Sequence, residues 1–210
     1  MLREAYVGAA AVALDLLSDP ALARCWKGDS ILPGFVVSGL SGHLARQVIL
    51  TRRIVNDAPG VYRPIPLTEH FARSEWNQTA RRDDPVPVGI RRRGEDTAGL
   101  GPESLARETA EALNWLRGEL PTQPPDRGVE LRGQWCLSLD DFLTSRLLEL
   151  VIHVDDLALS IGVTPPAMPA SAIDLVLELL MGLAVQRHGT TAVLRALSRP
   201  QRTPQSIAAI

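Results

Sequence analysis

Cysteine is nearly absent from this 210-residue chain, which has only Cys25 and Cys136, far apart in sequence. They make neither a metal-type pair nor a disulfide framework, and a reducing cytosol fits them best. Aromatic residues are equally sparse at 4%, whereas Ala and Leu abound, a balance that favours helix over sheet. An excess of charge of one sign is missing too. With a net charge of -2 and a pI near 6.1, the chain gives no reason to expect a nucleic-acid partner. The longest basic run, Arg91 to Arg93, lies in a polar stretch and reads as a solvated loop. Long hydrophobic runs are also wanting. The apolar run from Val7 to Leu17 is short, follows Arg3 and Glu4, and contains Asp15, so it reads as an amphipathic helix and not as a signal or a span. The expectation is a cytoplasmic protein with no membrane partner.

Hydrophobic residues make up 45%, ample for a core, and the length suits one domain with a short helical extension over about 190–210. Punctuation divides the chain into helices. The first runs over about 2–17 and stops near Ser18, Asp19 and Pro20, before a loop. Ser38 is expected to cap a helix reaching about residue 56, which Asp57, Ala58, Pro59 and Gly60 end. A third helix is expected over about 68–82, and an exposed loop over 83–101, a stretch rich in charge, Pro and Gly. Pro102 suits the first position of a helix ending near residue 120, and residues 121–133 read as loop with a short extended piece around Val129 to Leu131. Ser138 and Asp141 form a variant capping box for a helix reaching about Ser160, with Gly162 beyond. Helices over about 171–188, ended by Gly189, and 190–197 complete an all-helical bundle with long loops.

The helix from about 139 to 160 carries the main chemical signal. At about 100° per residue, Arg146, Glu149, His153 and Asp156 fall within about ±40° of one line. Leu147, Leu148, Leu150, Val151, Ile152, Val154, Leu157 and Leu159 occupy the rest of the circumference. So apolar a helix is normally buried, and an inward Glu149 must then be paired or bind a metal. Glu149 and His153, spaced i, i+4, can both reach one ion. The same residues also fit a polar seam in which Arg146, Glu149 and His153 pair with one another.

On the helix from Ser38, Leu40, Leu44, Val48 and Val55 mark the apolar face, and His43 sits on its edge beside Gln47. Two inward histidines and one carboxylate suit Zn²⁺ foremost, with Ni²⁺ or Fe²⁺ as alternatives, and leave a coordination position open for water or substrate. Asp156 and Arg146 are candidates for orienting His153 and Glu149, and Arg146 for attracting an anionic substrate. For the remaining histidines, His188 complements a helix C-terminus and His70 lies on a helix surface.

At these residues the chain resembles the mycothiol-dependent maleylpyruvate isomerase family, a branch of the DinB-like helical bundles. The similar pieces are Leu32-Pro-Gly-Phe-Val-Val-Ser-Gly-Leu-Ser-Gly-His43-Leu44 and Arg146-Leu-Leu-Glu149-Leu-Val-Ile-His153-Val-Asp-Asp156-Leu157, together with Val193-Leu-Arg-Ala-Leu-Ser-Arg-Pro. The resemblance implies a DinB-like four-helix bundle with additional short helices, and a divalent metal on His43, Glu149 and His153. It also implies mycothiol or another low-molecular-weight thiol as cofactor or co-substrate. The isomerase itself has a separate C-terminal domain, for which too little chain follows Gly162 here, so the fold and ligands carry over better than the reaction.

Three functions remain open on this reading. The preferred one is a metal-dependent transferase or isomerase acting on a small-molecule thiol and an electrophile. The others are a metal-activated hydrolase and a non-catalytic metal-binding stress or interaction protein. A homodimer paired through helices is the expected assembly.

Overall fold

Ala5, Ala9, Ala10 and Ala13 recur at helical spacing and, having small side chains, let neighbouring helices approach closely. They lie on helix α1, Leu2–Leu17, whose buried face also carries Tyr6, Leu16 and Leu17. The computed structural model describes residues 1–74, 83–131, 135–202 and 204–210. Within them α1 is followed by α2, Pro20–Cys25, which opens on Asp19 as its side chain accepts the Ala21 N–H at 2.7 Å. Then come α3, Val37–Asn56; α4, Leu67–Arg73; α5, Pro85–Ala98; and α6, Pro102–Glu119. An antiparallel pair, β1 Gly128–Leu131 and β2 Trp135–Ser138, sets Val129 opposite Leu137. It leads into α7, Leu139–Ile161; α8, Ala170–His188; and α9, Thr190–Ser198.

Helices α1, α3, α6 and α7 form the four-helix core. The first packs on α6 and α7, and α3 packs on the same two from the other side. Leu40, Leu44, Val48, Leu113, Leu116, Leu147, Leu150 and Leu157 fill the space between them, all buried. Helix α8 lies against α1 and α7, and α9 against α8. The fold is all-α. No helix among the described residues is long and apolar enough to cross a membrane.

Several boundaries fall where the sequence puts them. Ser138 Oγ accepts the Asp141 N–H at 3.0 Å, and Gly162 closes α7 in the left-handed conformation at φ 72°. Ser38, by contrast, is not a cap. It lies inside the first turn of α3, whose N–H groups are taken up by earlier carbonyls: Val37 donates to Gly28 at 2.8 Å and Ser38 to Trp26 at 3.0 Å. The third helix ends at Arg73, with Ser74 extended, and the rest of its expected span, 75–82, lies outside the described residues.

The larger correction concerns 83–101, expected as an exposed loop, where the chain forms α5 instead. Pro85 occupies its first turn, and Gly94 and Ala98 are buried against α3. A Cβ on Gly42 would overlap the Gly94 carbonyl oxygen, and one on Gly94 would overlap that of Gly39. Two backbones cross here at a distance that only glycine permits. Arg91 and Arg93, expected in solvent, are half-buried on this helix.

Gly42→Ala and Gly94→Ala should each destabilise the protein by about 1–3 kcal/mol in urea unfolding, from overpacking. Gly118→Ala, on the exposed face of α6 with nothing near its Cβ, should stabilise by about 0.5–1 kcal/mol. Equal midpoints for all three variants would contradict the close crossing.

Candidate metal centre

His43 and Gln47 stand one turn apart on α3, and Arg146, Glu149 and His153 follow one another down the facing side of α7. The α3–α7 packing brings the two faces together. His43 Nε2 lies 2.9 Å from Glu149 Oε2, and His153 Nε2 lies 3.2 Å from the same oxygen. The two imidazoles meet edge to face, with centroids 4.9 Å apart. One donor atom from each of the three residues falls within 4.8 Å of the others. Ligands on a tetrahedral ion at about 2.0–2.2 Å lie about 3.3–3.6 Å apart. The donor set fits a small divalent ion in chemistry, and the two histidine–carboxylate separations of 2.9 and 3.2 Å are close to that spacing.

Electrostatics follow from the same contacts. Burial alone would raise the Glu149 carboxyl, but hydrogen bonds and charge from His153 and His43 outweigh it and hold the group well below the usual carboxylate range. Burial lowers His43, against the pull of Glu149, and keeps it neutral. Burial also opposes charge on His153, yet Asp156 and Glu149 together raise that ring to about 9. The cluster holds a carboxylate anion between two rings, of which one is neutral.

The two supporting candidates occupy different places. Asp156 accepts from His153 Nδ1 at 3.0 Å, which orients the ring with Nε2 toward Glu149. Arg146 does not pair with Glu149 or His153. Its Nη1 donates to Gln47 Oε1 at 2.7 Å, and its guanidinium lies 5.4 Å from the Phe142 ring. Gln47, 2% exposed, spends its amide N–H on the His43 carbonyl at 2.8 Å. The polar stripe of α7 is thus divided between the histidine–carboxylate cluster and an Arg146–Gln47 pair, and Gln47 Nε2, 3.5 Å from His43 Nε2, joins the two.

All three potential ligands and Arg146 face a cavity of about 710 Å³. Leu50 and Ile54 of α3, Val86 and Ile90 of α5, and Ile152 of α7 supply apolar wall, and Arg46, Arg53, Arg73 and Arg93 add positive charge. The ligand side chains keep 15% to 18% exposure, so the cluster is reachable and not sealed. His70, expected on a helix surface, lines this cavity with Trp135, whose Nε1–H donates to His70 Nδ1 at 3.1 Å. Nothing local in sequence marks His70, because α4 and β2 meet only in the folded chain. The α5 wall did carry a signal: Pro85 at a helix start, then Val86, Ile90, Gly94 and Ala98 at intervals of four. His188 ends α8 as expected, donating Nε2–H to the Ala208 carbonyl at 2.8 Å.

A helical bundle with a histidine–carboxylate cluster between facing helices defines the class of protein. Residues 7–158 match the family described as the mycothiol maleylpyruvate isomerase N-terminal domain, and the chain belongs to that family. No curated protein and no solved structure matches it.

Asp156→Asn should weaken Zn²⁺ affinity by about 10–100-fold in a chelator competition. Asp155→Asn, at an exposed position on the same helix, should leave it unchanged. A second prediction concerns acid. Burial, with help from Arg146, lowers His70 from its ordinary 6.5 to about 4. Between those values the unfolded chain binds a proton that the folded chain does not, so stability falls on acidification through that window. His70→Gln should flatten that part of the stability–pH curve, and an unchanged slope would count against a buried neutral ring.

Proposed function

We propose that the protein is a metal-dependent thiol enzyme, a transferase or isomerase of the mycothiol type, whose divalent ion is held by His43, Glu149 and His153. The observation that carries this reading is the convergence of two imidazole nitrogens and a carboxylate oxygen within 4.8 Å on the wall of a substrate-sized cavity. Zn²⁺ suits this donor set best, with Ni²⁺ or Fe²⁺ next. When bound, the ion would supply the Lewis acidity that favours a thiolate over a thiol near neutral pH.

The chain's own residues would do the rest. Asp156 holds His153 by Nδ1, so that Nε2 is the nitrogen offered to the centre. Arg146, fixed by Gln47, stands ready for an anionic group of the electrophile. Leu50, Ile54, Val86, Ile90 and Ile152 would keep water from the reacting groups. Family membership favours mycothiol as the thiol, and the two free cysteines favour a cytoplasmic setting. An accessible cavity beside the cluster favours catalysis over an inert, structural metal.

Metal analysis of untagged protein beside His153→Ala tests the reading first. Wild type should carry about one equivalent of divalent metal and the variant little. Metal-loaded protein should then consume mycothiol only in the presence of an electrophile. No metal in either protein, even after Zn²⁺ or Ni²⁺ is added, would refute the centre. Ester turnover without any thiol would redirect the assignment to a hydrolase.

A further inference from the structure

His70 and Trp135 reach the cavity from α4 and β2, elements that contribute none of the three potential metal ligands. An indole nitrogen can only donate, so His70 Nδ1, 3.1 Å from Trp135 Nε1, is the acceptor. In a neutral imidazole the proton then resides on Nε2. The pair is braced by its neighbours. The Arg73 guanidinium lies 5.8 Å from the centre of the Trp135 ring and is itself paired with Glu69, while Phe71 packs edge-on against His70. Among the described residues no acceptor takes up the Nε2–H. His70 and Arg146 both line this cavity. Burial keeps the ring neutral and therefore a donor of one defined N–H at neutral pH.

We propose that His70 is a substrate-binding residue, locked by Trp135 in its Nε2–H form, that donates this proton in a hydrogen bond to a carbonyl or carboxylate oxygen of the electrophile. This rests on reading the cavity as the electrophile's site. The need for the lock follows from geometry: a ring free to flip or change tautomer would also present a lone pair to the substrate oxygen, and Trp135 removes that option.

The test uses imidazole-¹⁵N NMR of the full chain, zinc-loaded and metal-stripped in parallel, with 4-fluorobenzoate and 4-fluoroacetophenone as probes followed by ¹⁹F NMR. At neutral pH His70 should show a protonated Nε2 and a bare Nδ1, and Trp135→Phe should give a mixture of tautomers. A probe should shift the Nε2 signal, and His70→Phe, which keeps a ring but no donor, should weaken its binding about tenfold. His70→Gln, which restores an N–H close to the Nε2 position, should bind within about threefold of wild type, a rescue that a merely structural role would not produce. A response to the benzoate assigns the carboxylate, and one to the acetophenone assigns the carbonyl. A protonated Nδ1, no response of Nε2 to either probe, equal affinity in His70→Phe, or equal loss in His70→Gln overturns the proposal. Should the protein fail to bind zinc while His70 still answers the probe in metal-stripped protein, the metal reading falls and the His70 assignment stands.

Discussion

A carboxylate placed between packed helices must be neutralised where it lies, and Glu149 is in that position. Its oxygen is shared by His43 from α3 and His153 from its own helix, at 2.9 and 3.2 Å. Removing either ring would leave a desolvated charge short of a partner, which is costly in a medium of low dielectric. The relative placement of α3 and α7 is therefore constrained by chemistry as well as by packing. The leucines on both sides of this contact bury surface, while the cluster adds a polar constraint on which faces can meet.

A second constraint is steric. Gly42 and Gly94 bring α5 so close to α3 that their backbones touch. Because α5 sits there, Val86, Ile90 and Arg93 complete the wall of the cavity that opens on the cluster. Gly42 immediately precedes His43, so the crossing and the candidate ligand are neighbours on one turn. Packing of the helix and shape of the site are inseparable at this point.

Between the two constraints lies a buried polar chain. The Tyr6 hydroxyl, kept protonated by burial, donates to the Gln47 carbonyl at 2.8 Å. The Gln47 side chain in turn receives Arg146 and donates to the His43 carbonyl. These bonds satisfy groups that would otherwise be unpaired in the interior. They also hold a guanidinium at the cavity wall, so that α1, α3 and α7 all contribute to the placement of one cation.

How much of this was legible beforehand differs by feature. Helix α7, its Ser138 cap, its Gly162 stop and the stripe of Glu149, His153 and Asp156 could all be read directly, because cap chemistry and helical periodicity are local properties. His43 was legible as an inward histidine for the same reason. Ser38 misled, since the helix begins one residue earlier, with the Val37 and Ser38 N–H groups satisfied by carbonyls at Gly28 and Trp26 that only the folded loop brings near. Helix α5 was obscured because charge and glycine suggest a loop, and its glycine is explained by a partner helix far away in sequence. The sequence by itself determined the all-helical architecture and the residue types available to bind an ion, through periodicity and local capping. Only the tertiary structure decided that Arg146 turns to Gln47, that His70 faces the cavity, and that α5 walls it, because each depends on contacts between segments whose separation along the chain carries no local signal.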